Sequence, residues 1–310
     1  MTVVHFAGTA ANWETYKELI PAALAARGIE ADFSRDAAPE TVDYVVYSPL
    51  GPVQDFTPFT KLKAVLSLWA GVERIVGNET LRAPLCRMVD GGLKKGMAEW
   101  VAGHVLRYHL GMDAHIVNPA HEWHNSAVPP LAKDRRVGIL GLGELGVASA
   151  AALGCLGFDV AGWSRTPKSV EGVACFDGQA GLKEILKRSE ILVLLLPQTP
   201  ATTHIINAET LALMPKGARI LNPGRGPLID DNALLEALNS GQIAHATLDV
   251  FATEPLPKAH PYWAHPHVTV TPHIASETRP KTAADVVAEN VLRGESGKDF
   301  LFEVDRKTGY

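Results

Sequence analysis

The sequence predicts an α/β protein made of two doubly wound parallel-sheet domains with a cleft between them, one domain being a Rossmann-type nucleotide domain. Three observations carry this. Short β-rich apolar runs alternate with helical patterns, the signature of parallel sheets covered by helices. A glycine triplet, Gly141-Leu-Gly-Glu-Leu-Gly146, stands between an apolar run and a helical one. The length of 310 residues suits about two domains of roughly 100–200 residues each.

Val3–Ala7 reads as the first strand. Trp13–Ala26 follows as a helix, with Asn12 as N-cap and Gly28 just past its end. Val42–Tyr47 and Lys63–Leu68 read as strands, bounded by Pro49-Leu-Gly-Pro52 and Gly71. Met97, Trp100, Val101, Val105, Tyr108 and Met112 recur at helical spacing and predict a long helix whose stripe packs inward. The polar, proline-rich run from Asn118 to Pro130 reads as a projecting arm or linker. Beyond it the pattern is cleaner. Strands are expected at Val137–Leu140, Phe158–Gly162, Ile191–Leu196, Arg219–Asn222, His245–Asp249 and Val268–Val270. Helices are expected at Glu144–Leu156, Leu182–Lys187 and Asp230–Asn239, the last stopped by Gly241. A final helix near Glu277–Arg293 is expected to return to the first unit. The domains are then 1–97 plus 277–310 for substrate, and 98–276 for the dinucleotide.

Composition narrows the function classes. With 46% hydrophobic and 20% charged residues, the chain is neither disordered nor collagen-like. The net charge of −5, from 29 basic and 34 acidic residues, gives no footprint for nucleic acid or an acidic membrane. Ile191–Leu196, the longest apolar run, is far short of the ~18 residues of a membrane helix. The opening residues carry no basic stretch and read as a strand rather than a signal peptide. Cys86, Cys155 and Cys175 form no C-x-x-C pair, which points to a reducing cytoplasm and to bland, buried thiols.

The glycine triplet has a physical reading. Gly141 permits a tight turn, Gly143 admits close approach of the pyrophosphate, and Gly146 lets helix and strand pack closely, with Glu144 and Leu145 opening the helix. An NAD site usually carries a carboxylate at the tip of the second strand, to bind the ribose 2′-hydroxyl. Asp159 lies at the wrong end of that strand. Its tip offers Ser164, Arg165 and Thr166, with Lys168 nearby, a set suited to a 2′-phosphate. NADP is therefore the expected cofactor, NADPH being preferred over NADH.

Three polar residues sit at expected strand ends or loops: Arg225 in Asn222-Pro-Gly-Arg-Gly226, Glu254 in Asp249-Val-Phe-Ala-Thr-Glu-Pro255, and His273 in Thr271-Pro-His273. Ligands of open α/β sheets bind beyond the carboxyl ends of the strands. Taken singly, each residue also reads as an ordinary loop residue.

The ordered set of the glycine triplet, Leu196-Pro197-Gln-Thr-Pro-Ala-Thr202, Asn222-x-x-Arg225-Gly, Leu248-Asp-Val-Phe-x-x-Glu254-Pro and Pro272-His273 resembles the D-isomer-specific 2-hydroxyacid dehydrogenase family. Ala70-Gly71-Val72 matches that family's loop in the first domain. Trp163-Ser-Arg-Thr166, Thr278-Arg-Pro280 and the closing Gly309-Tyr310 are similar to its glyoxylate/hydroxypyruvate reductase A subgroup.

The resemblance implies an NADPH-linked reductase of small 2-oxo acids such as glyoxylate and hydroxypyruvate, cytoplasmic and homodimeric. Arg225 would bind the carboxylate and polarise the carbonyl. His273 would protonate the carbonyl oxygen as hydride arrives. Glu254 would pair with His273, orient it and stabilise its imidazolium. Ala70 and Gly71 would hold the carboxylate through backbone N–H groups, and Trp69 would narrow the pocket. Leu196 and Pro197 would line the cofactor, and Asp249 would contact the nicotinamide carboxamide. Trp123 resembles a position that reaches a neighbouring subunit's site.

Other readings are weaker. His121-x-x-His124 and the His260–His267 run lack the partners a metal site needs, so no metal is expected. A G-x-S-x-G nucleophile elbow is missing from the sequence. A nucleotide-sensing interaction protein on the same fold would keep the Arg, Glu and His, but the reductase-subgroup details disfavour it. An NAD-linked 2-hydroxyacid dehydrogenase of other substrate preference is disfavoured by the absent strand-tip carboxylate.

Overall fold

The computed structural model describes residues 1–116, 121, 123 and 128–309. Most of the expected arm, His124 of the His121 pair, and Tyr310 lie outside the described residues. The chain divides into two compact units, Met1–Leu93 with Glu277–Tyr310, and Lys94–Ser276. The first boundary falls between Leu93 and Lys94 and the second between Ser276 and Glu277.

Unit 1 begins β1 (Thr2–Ala7), α1 (Ala10–Tyr16), α2 (Leu19–Ala25), β2 (Ala31–Ser34), β3 (Tyr44–Tyr47), β4 (Ala64–Ser67) and β5 (Leu85–Cys86). The single expected helix over 13–26 is two helices. Thr9, not Asn12, is the N-cap of α1, and Asn12 returns the bond to the Thr9 N–H in a capping box. The break falls before Pro21, which is tolerated only in the first turn of α2, where its missing N–H has no helical partner. The sheet order is β2-β1-β3-β4-β5, all parallel.

The long helix α3 (Gly91–His109) starts earlier than its apolar stripe, because the Asp90 carboxylate accepts from the N–H groups of Gly92 and Leu93. The short α4 (Asp113–Ile116) follows. Unit 2 continues with β6 (Arg136–Leu140), α5 (Glu144–Cys155), β7 (Asp159–Ser164), β8 (Ala174–Asp177), α6 (Gly178–Arg188), β9 (Ile191–Leu194), α7 (Ala208–Leu213), β10 (Ala218–Asn222), α8 (Asp231–Asn239), β11 (Ile243–Leu248) and β12 (Val268–Val270). Its seven parallel strands run β12-β11-β10-β9-β6-β7-β8. The order reverses between β6 and β9, the switch point beside which dinucleotides bind in this class of sheet. Val137 and Ile139 of β6 and Ile191 and Val193 of β9 enter one core with Val101, Val105 and Tyr108 of α3.

The last helix, α9 (Pro280–Glu295), belongs to unit 1. Ala283, Ala284, Val287, Ala288 and Val291 are buried with Val4, Phe6, Ile20, Tyr44 and Leu66. The cysteines differ from one another. Cys86 is buried and its thiol is pushed up to about 12 by desolvation, but Cys155 is exposed and Cys175 half-buried, because they lie at a helix end and on a half-covered strand. Among the described residues no helix is long and apolar enough to cross a membrane.

Candidate active site

The glycine loop connects β6 to α5. Gly141 has φ +110°, and a Cβ there would stand 2.5 Å from the Leu195 carbonyl oxygen. A Cβ on Gly146 would meet the Gly141 carbonyl oxygen at 1.8 Å. Both positions exclude any side chain. Around Gly143 nothing lies within 4 Å of such a Cβ, which leaves open space at the N-cap of α5. No side chain caps this helix, so its first-turn N–H groups are available to a phosphate. Glu144 opens the helix and pairs with Lys94, while Leu145 is half-buried. A dinucleotide pyrophosphate fits this donor set.

At the end of β7, Ser164 is buried and donates to the Thr166 carbonyl at 2.8 Å, which folds the tip back. Arg165 and Thr166 are exposed. Lys168 donates from Nζ to the Leu142 carbonyl at 2.7 Å and so ties this tip to the glycine loop. That link could not be read from sequence spacing. Asp159 is held at the far end of β7 in a 2.6 Å pair with Arg188. The strand tip therefore presents cation and hydroxyl without a carboxylate, an arrangement that fits a 2′-phosphate.

Leu196 and Pro197 follow β9. Thr202 donates to the Pro197 carbonyl at 2.7 Å and accepts from the Thr199 N–H at 2.9 Å, so the two threonines of this motif shape the loop.

Arg225, Glu254 and His273 stand on three successive loops of unit 2, after β10, β11 and β12. Asn222 closes β10: its side chain donates to the Arg225 carbonyl at 3.0 Å and accepts from the Gly224 N–H at 3.2 Å. This turn half-buries Arg225, whose guanidinium donates to the Gly224 carbonyl at 2.7 Å. A Cβ on Gly226 would lie 2.0 Å from the Phe251 carbonyl carbon, so the Arg225 loop presses directly on the loop that carries Glu254. Glu254 accepts from the Phe251 N–H through Oε1 at 2.9 Å. Its Oε2 lies 2.7 Å from His273 Nδ1.

His273 has φ +55°, a left-handed backbone unusual for a residue with a side chain. Asp249 holds it there. Expected at the nicotinamide carboxamide, this fully buried carboxylate accepts from Thr271 Oγ1 at 2.6 Å and from the N–H groups of Ile274 and Ala275 at 2.9 Å each. A carboxylate only accepts, so the Glu254 contact puts the proton on Nδ1 and leaves Nε2 for substrate. Sequence reasoning named Arg225, Glu254 and His273 but gave no role to Thr271, Asn222 or Gly226, which shape their loops.

In unit 1, the Ser67 hydroxyl accepts from the Trp69 N–H and donates to the Trp69 carbonyl, both at 3.1 Å, which turns the chain sharply after β4. Trp69 is 39% exposed, and Ala70 and Gly71 are half-buried. Trp123 is 90% exposed. His265 accepts from the His267 N–H through Nδ1 at 3.1 Å and meets Asn239 Oδ1 at 3.3 Å through Nε2, which engages both ring nitrogens. Among the described residues no three His, Cys, Asp or Glu side chains cluster as metal ligands.

Comparison with known proteins gives a consistent result. Residues 104–275 match the family model described as D-isomer specific 2-hydroxyacid dehydrogenase, NAD binding domain. Glyoxylate/hydroxypyruvate reductase A of Yersinia enterocolitica is 40% identical over 279 residues, covering 87% of this chain and 88% of the relative. The protein of the same name from Serratia proteamaculans is 42% identical over 259 residues, 81% and 82% of the two chains. Among solved structures, a D-isomer specific 2-hydroxyacid dehydrogenase of Xanthobacter autotrophicus Py2, in complex with NADPH and MES, superposes with a TM-score of 0.90 at 41% identity, over 100% of this chain and 99% of that one. The NADPH-dependent glyoxylate/hydroxypyruvate reductase of Sinorhizobium meliloti, with NADP and sulfate, gives 0.83 at 34% identity, with the same coverage.

Proposed function

The chain belongs to the D-isomer-specific 2-hydroxyacid dehydrogenase family, and on that premise we propose that it reduces small 2-oxo acids, glyoxylate and hydroxypyruvate, with NADPH. The observation that carries the chemistry is the 2.7 Å contact of Glu254 with His273 beyond the carboxyl ends of β11 and β12. The NADPH reading is supported by the strand tip at Ser164, Arg165 and Thr166 and by the nucleotides bound in the Xanthobacter and Sinorhizobium proteins.

When bound, the cofactor supplies the hydride. The glycine loop, from Gly141 through Gly143, Glu144 and Leu145 to Gly146, holds its pyrophosphate, and Arg165 its 2′-phosphate. Leu196 and Pro197 line it. Arg225 binds the substrate carboxylate and draws charge onto the carbonyl oxygen. His273, as the imidazolium, delivers the Nε2 proton to that oxygen and is left neutral with its proton on Nδ1, while Glu254 accepts from Nδ1–H and orients the ring. We assign the substrate carboxylate also to the N–H groups of Ala70 and Gly71, and one wall of the pocket to Trp69.

Homodimerisation belongs to the same proposal. Leu110, Met112, Ile116, Trp123, Val128 and Leu131 are large apolar side chains exposed in close sequence, more than a monomer surface favours in one stretch. A cytoplasmic setting suits the three free thiols.

The test is NADPH oxidation on addition of glyoxylate or hydroxypyruvate, with NADH as the comparison. Turnover with NADPH and either acid supports the reading. Turnover only with NADH, or with neither acid, refutes it.

A further inference from the structure

After α9 the chain returns along the edge of unit 1. Val304 N–H donates to the Leu85 carbonyl at 2.8 Å, Arg87 N–H donates to the Phe302 carbonyl at 3.1 Å, and Glu303 bridges Cys86 in antiparallel register. Asp305 then closes a turn: its carbonyl accepts from the N–H groups of Thr308 and Gly309, and its carboxylate from that of Lys307. This places Arg306, half-buried, against the segment that follows Gly71.

The Arg306 guanidinium donates to three main-chain carbonyls of that segment. Nε reaches Val76 at 3.1 Å, one terminal nitrogen reaches Asn78 at 2.5 Å, and the other reaches Leu81. The segment makes a chain of turns: the N–H groups of Ile75 and Val76 donate to the Val72 carbonyl, that of Asn78 to Ile75, and that of Leu81 to Asn78. Val72, Ile75 and Leu81 are buried in the same cluster as Val304. Val76 is thus gripped on both sides, by Arg306 on its carbonyl and by Val72 on its N–H. Val72 directly follows Ala70 and Gly71.

We infer that Arg306 is a positioning residue for the substrate's carboxylate, acting through residues 72–81 on the N–H groups of Ala70 and Gly71. This rests on the substrate assignment made above. The fork is specific to arginine: five N–H donors diverge from one rigid plane, with no acceptor to compete. A lysine ammonium, a point charge on a flexible stem, cannot span three carbonyls in this way. Displacing a binding segment by about 1 Å costs a reaction up to roughly 10²-fold, although the displaced groups never touch the reacting atoms.

The test uses full-length Arg306→Ala and Arg306→Lys proteins. Three quantities are measured: glyoxylate kinetics at saturating NADPH, NADPH affinity by fluorescence titration, and amide hydrogen exchange across 72–81. In Arg306→Ala, exchange over 72–81 should accelerate, and kcat/KM for glyoxylate should fall roughly 10–100-fold, mainly through KM. NADPH affinity should stay unchanged. Free guanidinium ion should restore part of the loss, and Arg306→Lys should lie between. Unaltered KM and exchange would overturn the inference, and so would equal losses in NADPH affinity and glyoxylate KM. If Arg306→Ala does not fold, the lysine variant carries the same comparison. The reduction reading fails separately, when the unaltered protein turns over no 2-oxo acid with NADPH; the exchange measurement then still decides whether Arg306 holds the segment.

Discussion

The main chain at His273 hangs from Asp249: the His273 N–H donates to the Asp249 carbonyl at 2.8 Å, and the next two N–H groups donate to the Asp249 carboxylate. A residue at φ +55° with a side chain costs on the order of 1–3 kcal/mol unless its surroundings hold it. Asp249 is what holds it. The carboxylate is a bracket for the loop that carries His273.

Asp249→Ala should therefore damage stability and turnover together. It strands two N–H groups and the Thr271 hydroxyl, at roughly 1–3 kcal/mol for each buried group left unpaired. Urea unfolding and kcat measured on one preparation check this. A stable variant with full turnover would show that the loop holds His273 without the bracket.

His273→Ala should lose roughly 10²–10⁴-fold in kcat with glyoxylate and keep its affinity for NADPH. Single-turnover absorbance at 340 nm reads the chemical step directly. Loss of cofactor affinity in parallel would move His273 from acid to cofactor ligand.

Glu254→Gln replaces a charged acceptor with a neutral one of the same shape at the 2.7 Å contact. The change from a charge-assisted to a neutral hydrogen bond is worth about 1–1.5 kcal/mol, or roughly tenfold in kcat/KM. The thermal midpoint should barely move, since the contact is exposed. Steady-state kinetics with glyoxylate supply the number, and undiminished kcat/KM would remove Glu254 from the mechanism.

Arg165→Ala should weaken NADPH by about 10–150-fold, the worth of one charge-assisted contact at roughly 1.5–3 kcal/mol, and leave NADH nearly unaffected. Titration of both cofactors is the check. Equal weakening of both would give Arg165 a structural role.

Stability should fall on the acid side because of His245. Its Nδ1 lies 2.8 Å from the Tyr108 hydroxyl, and burial, then the Arg107 charge, lowers its pKa from 6.5 to about 4. The folded state therefore favours the neutral ring. Above pH 6.5 this stability is fully present; between 6.5 and about 4 the unfolded chain takes a proton that the folded one refuses, and the stability is lost. The whole effect is on the order of 2–3 kcal/mol after allowance for the half-exposed ring. Urea unfolding between pH 7 and pH 4 should show it, with a shallower decline in His245→Gln.

What could be read from sequence was what steric necessity dictates. Gly141 and Gly146 have no alternative at their positions, so the nucleotide loop was legible, and the apolar runs of β6, β9 and β10 are buried on both faces and announce themselves. The strands β2 and β8 were not legible, because short, half-buried strands carry little pattern, and β5 is only two residues long. The triple Arg225, Glu254 and His273 was named from its motifs, but nothing in their spacing says that Glu254 reaches Nδ1 or that Asp249 turns the loop. Those are facts of three-dimensional closure, made by residues far apart in the chain.

The burial of α9 in the core of unit 1 sets an order on synthesis. β1, β3 and β4 leave the ribosome first, yet the face that Ala284, Val287 and Val291 cover stays open until residues 280–295 emerge. Unit 2 is one continuous stretch, 94–276, and can close while that happens. At roughly 5–20 residues per second, the part of the first sheet's apolar face that α9 covers stays open on the order of 10–40 s, with only α1 and α2 packed beside it. The sheet made before unit 2 is thus completed after it, and it is the part that a nascent-chain chaperone would have reason to hold.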